Sequence, residues 1–132
     1  LTFSPQSFCR VFKKDDLINL ELPVTVNDLL SGHIVLGHID GVGTVVNIHK
    51  DKNSTILTII FPQKLSRYIV EKGSITINGV SLTVISVTDN TLAVGIIPYT
   101  FKHTMIQNLK PKDLVNIEVD ILAKYVERLL KK

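Results

Sequence analysis

The chain has little of what several protein classes require. Its 132 residues include one cysteine, no tryptophan and 6% aromatic residues. A single cysteine, Cys9, excludes an internal disulfide and favours a reducing cytoplasm. Apolar runs such as Ile59-Ile60-Phe61 are far too short to span a membrane. The net charge is only +3, and the lysines are scattered along the sequence. We therefore expect neither a nucleic-acid partner nor a membrane.

What the chain does have is an internal repeat. Lys13-Lys14-Asp15-Asp16-Leu17-Ile18-Asn19-Leu20-Glu21 returns 97 residues later as Lys110-Pro111-Lys112-Asp113-Leu114-Val115-Asn116-Ile117-Glu118. Before these segments, Pro5-Gln6-Ser7-Phe8 returns as Pro98-Tyr99-Thr100-Phe101. Repetition at so long a period indicates a duplicated domain rather than a solenoid. We therefore expect the chain to open on the last strand of one domain and to continue through a complete second domain.

Short β-rich runs separated by glycine and asparagine predict six strands in the second domain. Alternation such as Ser74-Ile75-Thr76-Ile77 is typical of a strand with one buried face. Residues 63–70 and 101–108 predict two brief helices. Six short strands favour a closed antiparallel barrel, because closure removes exposed sheet edges. The predicted strands are 44–48, 55–61, 74–78, 82–88, 91–97 and 114–119.

The last segment changes to a helical period. Its apolar residues recur at three- and four-residue spacing, which predicts an amphipathic helix over 121–132 with Asp120 as its N-cap. The apolar stripe has two possible partners, the surface of the barrel or the same helix of another subunit. Its width favours the second. The stripe consists of Ile121, Leu122, Tyr125, Val126, Leu129 and Leu130.

Two histidines, His33 and His38, lie in a stretch without regular periodicity. Their five-residue spacing suits neither a zinc protease helix nor a zinc finger, so no metal site is expected. In an extended chain His38 and Asp40 share a face, where the carboxylate can orient the imidazole for proton transfer. An ordinary polar histidine in a linker is the alternative interpretation.

Hydroxyl groups are expected along one face of a predicted strand. Ser81 and Thr83 alternate with Leu82 and Val84, after a turn at Asn78-Gly79. Such a face can hydrogen-bond a planar heterocycle or a polyol, although hydroxyls are equally typical of any exposed strand face. The sequence shows no nucleophile elbow, no glycine-rich phosphate loop and no paired catalytic carboxylates, so neither hydrolysis nor phosphoryl transfer is indicated.

Taken in order, these segments resemble the lumazine-binding repeat of the riboflavin synthase family. The resemblance implies an all-β fold, a six-stranded closed antiparallel Greek-key barrel with short helices and a C-terminal amphipathic helix. It also implies four parts: 1–22 as the closing segment of a truncated N-terminal barrel, 23–32 as a linker, 33–120 as the C-terminal barrel and 121–132 as an oligomerisation helix. The matching segments are Gly37-His38-Ile39-Asp40-Gly41, Lys72-Gly73, 78–84, 97–100 with Thr104, and 115–120.

The resemblance implies a reaction as well. Two molecules of 6,7-dimethyl-8-ribityllumazine would exchange a four-carbon unit, giving riboflavin and 5-amino-6-ribitylamino-pyrimidinedione, with no metal or organic cofactor. The implied catalytic residues are His38, Ser81 and Thr83, with His38 assisting deprotonation of the substrate's 7-methyl group. The implied substrate-binding residues are Lys72, Gly73, Asn78, Gly79, Ser81, Leu82, Thr83, Ile97, Thr100 and Asp120, the last in competition with its N-cap role.

Family members of this kind are homotrimers, joined through their C-terminal helices, with active sites between barrels of neighbouring subunits. A chain with most of one barrel missing should therefore show little turnover alone. The alternative is a non-catalytic lumazine- or flavin-binding protein of the same superfamily. The presence of His38, Ser81, Thr83 and Thr100 together favours the enzyme.

Overall fold

A computed structural model describes residues 13–131 and contains one barrel of six strands. Neighbouring strands are antiparallel and follow the order β1-β2-β5-β4-β3-β6, with β6 pairing back onto β1. Because β2 lies beside β5 and β3 beside β6, the connections are those of a Greek key, and the predicted fold is confirmed. The strands are β1 (Gly41–Asp51), β2 (Ser54–Ile60), β3 (Ser74–Ile77), β4 (Val80–Val87), β5 (Thr91–Ile96) and β6 (Leu114–Val119).

Four short helices accompany the strands. They are a 3-10 helix over Gln63–Tyr68, α1 over Pro98–His103, a second 3-10 helix over Met105–Asn108, and α2 over Ile121–Leu130. The N-cap prediction for α2 is confirmed, since Asp120 Oδ1 accepts a hydrogen bond of 2.9 Å from Leu122 N. Between residues 13 and 131, no helix combines the length and the apolar character needed to cross a membrane.

The inward faces of the strands form the core. Alternate residues of β2 and β5 are buried, as expected of strands with one face inward. Most of the core residues are β-branched or leucine, which pack well on a pleated surface. The fully buried side chains include Leu57, Ile59, Ile75, Ile77, Leu92, Ile96, Ile106 and Ile117.

Strand β1 begins three residues earlier than predicted. Gly41 pairs with Ile117 and Gly43 with Val115, so these glycines join β1 to β6 and close the barrel. A Cβ on Gly43 would lie 2.6 Å from Ile59 Cγ2 and 2.8 Å from Ile117 Cδ1. Glycine is therefore required by a close approach inside the barrel, although in the sequence it is typical of a loop.

The residues that precede the barrel contain no helix or strand from 13 to 40. The last strand of a preceding domain was predicted around Leu17–Glu21, where the structure has no strand. A strand needs a partner, and the six strands of this barrel already pair with one another. The earlier repeated element, residues 5–8, lies outside the described residues. The proposed domain boundaries therefore stay predictions.

Candidate functional site

Hydroxyl groups line the outer face of β3 and β4. The register places Thr76 opposite Ser81 and Ser74 opposite Thr83. Leu82, between the two β4 hydroxyls, is buried in the core, so Ser81 and Thr83 point outward and are exposed, as the alternation predicted. We call this surface, made of Ser74, Thr76, Ser81 and Thr83, the hydroxyl face.

Acidic residues at the end of β6 border the hydroxyl face. Glu118 of β6 pairs with Thr76, and Val119 pairs with Ile75. The predicted site residue Asp120 follows directly after β6, near this face, with Oδ1 engaged in capping α2.

Lys72 and Gly73 lie at one edge of the hydroxyl face. Lys72 N donates to Val84 O at 2.8 Å, and Val84 N donates to Gly73 O at 2.9 Å. Lys72 has a φ of +64°, and a Cβ on Gly73 would lie 2.8 Å from Val70 Cγ2. This tight turn brings the exposed Lys72 next to Thr83, so the structure unites both predicted residues with the hydroxyls.

Strand β4 extends past its pairing with β5, which begins at Thr83 opposite Gly95. Along a strand, the N–H and C=O groups of successive residues point alternately to the two neighbouring strands. Those of Val84 point to the β3 side, so those of Ser81, three residues earlier, point to the β5 side. At that level β5 has ended, and Ile97, which is 60% exposed, is the N-cap residue of α1. The peptide group of Ser81 therefore offers a donor and an acceptor at a strand edge. Thr100, half-buried, follows within α1.

Residues 32–37 lie over the hydroxyl face, and we call them the crossing segment. They begin at the last residue of the predicted linker. His33 Nδ1 is 2.8 Å from Ser81 Oγ. His33 Nε2 is 3.2 Å from Oγ1 of Thr76, which is 1% exposed. A Cβ on Gly32 would lie 2.9 Å from Ser81 Oγ. Sequence reasoning noticed His33 but assigned it no role, because no spacing pattern shows which of two histidines reaches a distant strand.

A buried carboxylate holds the other end of the crossing segment. Glu118 Oε1 accepts from Leu36 N at 2.7 Å, and Oε2 accepts from Gly37 N at 3.0 Å. The side chain is 4% exposed, and the two backbone donors compensate the burial of its charge. Sequence reasoning missed Glu118, although its recurrence as Glu21 in the first copy of the repeat was a usable signal.

The predicted pairing of His38 with Asp40 is wrong. Asp40 Oδ2 accepts from Val119 N at 2.9 Å, and Oδ1 binds the ammonium group of Lys124 on α2. Asp40 N also donates to Ile117 O, so the residue is fixed at the start of β1 by the pairing with β6. Its carboxylate is thereby turned to α2. His38 is exposed and forms no hydrogen bond within residues 13–131.

The side chain of Asn78, predicted to bind substrate, has a structural role. Asn78 and Gly79 have φ of +49° and +81°, so the predicted two-residue turn is confirmed. Asn78 Oδ1 accepts from Asn116 N at 2.8 Å, and Nδ2 lies 3.3 Å from Met105 Sδ. Its carbonyl accepts from Asn19 Nδ2. The amide thus ties the turn to β6 and to Met105, which leaves it engaged within the protein.

Two further predicted residues contribute little surface or none. Leu82 points into the core and is 6% exposed, because the alternation that exposes Ser81 buries its neighbour. Its peptide groups belong to the pairing with Ile75 of β3. Gly79 is exposed at the tip of the turn and carries no side chain. A surface depression of about 530 Å³ lined by Gln63, Lys64, Ser66, Arg67 and Asp89 shares no residue with the hydroxyl face.

Helix α2 is attached to the barrel through its charged side. Glu127 accepts from Arg67 Nη1 at 2.7 Å and pairs with Lys131 Nζ at 2.8 Å. Hydrogen bonds from Lys131, Tyr68 and Arg67 lower the pKa of Glu127 to about 2. The apolar side of the helix consequently faces outward, with Leu122, Tyr125, Val126, Leu129 and Leu130 between 56% and 81% exposed.

The structure described so far is that of a small Greek-key barrel with outward hydroxyls on β3 and β4 and a free strand edge on β4. Residues 36–120 match the lumazine binding domain, and the chain belongs to that family. Riboflavin synthase of Actinobacillus pleuropneumoniae is 47% identical over 120 residues, covering 91% of this chain and 56% of that protein. Riboflavin synthase of Bacillus subtilis (strain 168) is 35% identical over 119 residues, covering 90% and 55%.

The chain therefore spans about half the length of the curated relatives it matches. Two solved structures are similar to this chain, which again covers about half of each. LumP complexed with 6,7-dimethyl-8-(1'-D-ribityl) lumazine aligns with a TM-score of 0.63 and 26% identity, over 70% of this chain and 52% of that chain. LumP complexed with riboflavin aligns with a TM-score of 0.64 and 28% identity, over 70% and 50%.

Proposed function

We propose that this chain is the C-terminal barrel of a riboflavin synthase and binds 6,7-dimethyl-8-ribityllumazine on the hydroxyl face. The observation that carries the proposal is the free edge of β4 at Ser81, beside outward hydroxyls, in a chain 47% identical to a riboflavin synthase. The proposed reaction is the dismutation of two lumazine molecules to riboflavin and the ribitylamino-pyrimidinedione, without a cofactor.

The face suits this ligand in chemistry and shape. A pyrimidinedione edge carries alternating N–H and C=O groups, which match the peptide donor and acceptor of Ser81. Ile97 offers an apolar surface for the flat ring, while Thr83 and Lys72 offer polar partners nearby. The ribityl hydroxyls can bind Asp120, whose second carboxylate oxygen is not used in capping α2. In this proposal Gly73 shapes the edge and Thr100 borders it.

We also propose the family's assembly for the whole protein. The crossing segment covers Thr76, but the exposed part of the face at Ser81 and Thr83 has no opposite wall. That part needs a second surface to exclude water, and a barrel from a neighbouring subunit would supply it. The exposed apolar side of α2 supports a homotrimer joined by this helix, since large contiguous apolar patches mark interfaces. A cytoplasmic location is supported by the single cysteine. The catalytic roles predicted for His38, Ser81 and Thr83 belong to the same proposal.

Titration of the purified chain with 6,7-dimethyl-8-ribityllumazine, followed by ligand fluorescence, tests binding. Replacing one neutral hydrogen bond costs about 0.5–1.5 kcal/mol, so Thr83→Val should weaken affinity roughly 2- to 10-fold. Thr44→Val is the matched control, because β1 lies on the opposite side of the barrel from β4. Absence of saturable binding, or equal weakening by both variants, would refute the proposed site.

A non-catalytic lumazine- or flavin-binding protein is the second candidate, favoured by the likeness to LumP. The two functions differ in turnover. When the chain is extended by a complete N-terminal barrel, riboflavin formation from the lumazine supports the synthase. Tight binding without riboflavin formation in that extended protein supports the second candidate.

A further inference from the structure

The turn that precedes β6 occurs twice in the structure. Before β6, Lys110 N donates to Asp113 Oδ2 at 2.8 Å, and Asp113 N donates to Lys110 O at 3.0 Å. In the first copy of the repeat, Lys13 N donates to Asp16 Oδ2 at 3.0 Å, and Asp16 N donates to Lys13 O at 3.2 Å. The residue before each aspartate is left-handed, with a φ of +79° in the later turn and +71° in the earlier one. The first copy is therefore folded like the entry to β6.

Asn19, which follows the earlier turn, binds the barrel through both ends of its side-chain amide. Nδ2 donates to Asn78 O at 2.8 Å, and Oδ1 accepts from Met105 N at 2.8 Å. Asn78 lies in the turn between β3 and β4, and Met105 begins the second 3-10 helix. The amide thus satisfies a backbone acceptor and a backbone donor that both lie outside the regular strands.

The repeat indicates the direction of the side chains around Asn19. Its counterpart in β6 is Asn116, whose two neighbours in the strand point into the core and are fully buried. A strand formed by the first copy would likewise point Ile18 and Leu20 into a first barrel and Asn19 out of it. Ile18 and Leu20 are 51% and 87% exposed, whereas Asn19 is half-buried against the present barrel. The segment therefore turns its outer side to this barrel and leaves its apolar inner side uncovered.

Both copies of the repeated asparagine meet at Asn78. Asn116 binds it from within the barrel, since Asn78 Oδ1 accepts from Asn116 N and Asn78 N donates to Asn116 O. Asn19 binds its carbonyl from outside. We propose that the β3–β4 turn and Met105 N form the docking surface for the last strand of a preceding barrel in the same chain, held by Asn19. This inference rests on the proposed function, because it requires the preceding barrel of a riboflavin synthase.

The contact suits a partner that is joined to the barrel covalently. Two neutral hydrogen bonds are too few to hold two separate molecules together. Residues 22–40 connect the first copy of the repeat to β1, so the docking is intramolecular and is favoured by a high effective concentration. The preceding barrel would thereby be held at one end of this barrel, at the turn that leads into β4.

Amide hydrogen exchange at Met105 tests the docking in the chain extended by a complete N-terminal barrel, with the unextended chain measured alongside. Asn19→Ala removes both hydrogen bonds and leaves the apolar inner side of the strand intact. Asn27→Ala is the matched control, because Asn27 is an exposed asparagine of the connecting residues. The amides of Ile18 and Leu20 report the folding of the first barrel, and those of β2 and β5 report the folding of the second.

The expected result separates docking from folding. Met105 N should be better protected in the extended protein than in the unextended chain, because a strand held in a barrel need not be ordered on docking. Asn19→Ala should lower this protection roughly 4- to 100-fold, since each of the two neutral hydrogen bonds contributes a factor of about 2 to 10. Asn27→Ala should not change it. The amides that report folding should keep their protection in both variants.

Other outcomes overturn the inference. It is wrong if Met105 N loses its protection once the first barrel is present, since the strand would then have left the turn. It is also wrong if Asn19→Ala leaves the protection of Met105 N unchanged. Titration of the same samples with 6,7-dimethyl-8-ribityllumazine keeps the proposed function separate. Asn19→Ala should bind the lumazine as the unmodified protein does, and absence of binding in every sample would refute the proposed function instead.

Discussion

Substitution of Glu118 by glutamine is the perturbation that examines the buried anchor of the crossing segment. The two carboxylate oxygens accept from Leu36 N and Gly37 N at 2.7 Å and 3.0 Å. A glutamine keeps one acceptor oxygen and places an NH₂ group against the other backbone N–H. One charge-assisted hydrogen bond is therefore lost, and a donor faces a donor in a site that is 4% exposed.

The magnitude follows from that single lost bond. A hydrogen bond to a charged group contributes about 1.5–3 kcal/mol, and each 1.4 kcal/mol is about a factor of ten in an equilibrium constant. The crossing segment should then open roughly 10- to 150-fold more often in Glu118→Gln. Because the segment can detach without disrupting the barrel ladder, the loss of global stability should be smaller than the loss of local protection.

Amide hydrogen exchange at Leu36 and Gly37 is the direct assay. Protection at both amides should fall by the stated factor, while the amides of β2 and β5 should keep theirs. Glu71→Gln is the matched control, since Glu71 is exposed and its carboxylate does not bind Leu36 N or Gly37 N. Equal protection of Leu36 and Gly37 in the unmodified chain and in Glu118→Gln would show that the carboxylate does not anchor the segment.

Three further predictions concern stability and assembly. Gly43→Ala should lower the free energy of unfolding, measured by urea denaturation, by about 1–3 kcal/mol, because the new Cβ would lie under 3 Å from Ile59 and Ile117. A loss below about 0.5 kcal/mol, which is typical of surface substitutions, would contradict that packing. Glu127 has a pKa lowered from 4.5 to about 2, so its stabilisation of α2 is present above pH 4.5 and lost as pH falls towards 2; amide exchange in α2 should show this, and Glu127→Gln should remove the dependence. Leu129→Glu places a charge on the exposed apolar side of α2, so it should reduce the mass measured by sedimentation to that of a monomer while leaving the barrel folded. An unchanged mass would exclude α2 as the interface between subunits.

Most of the barrel could be predicted from local pattern. Alternation in β3 and β4 located both strands and assigned the outward direction of Ser81 and Thr83, because side chains on a strand alternate between faces. The period change after Asp120 located α2 to within two residues of its observed end. The start of β1 could not be predicted in this way, since Gly41 and Gly43 become strand only when β6 closes the barrel over them.

The site was predicted less completely, and the errors have one cause. The adjacency of His38 and Asp40 in the sequence suggested a pair, but the carboxylate is attracted by Lys124, distant along the chain. Asn78 looked available for a ligand, yet its amide binds Asn116 of β6. In both cases a partner brought by folding outcompetes a neighbour in sequence, because hydrogen bonding depends on distance in space.

The sequence by itself determined the strands, the helix, the repeat and the polar face of β4, because each depends on the short-range periodicity of side chains. Only the tertiary structure decided that His33 rather than His38 meets Ser81, and that Glu118 anchors the crossing segment. Strand order places β3, β4 and β6 side by side, and Leu36 and Glu118, 82 positions apart in the chain, come within hydrogen-bond distance. No local pattern encodes such a meeting, since it exists only once the barrel has closed.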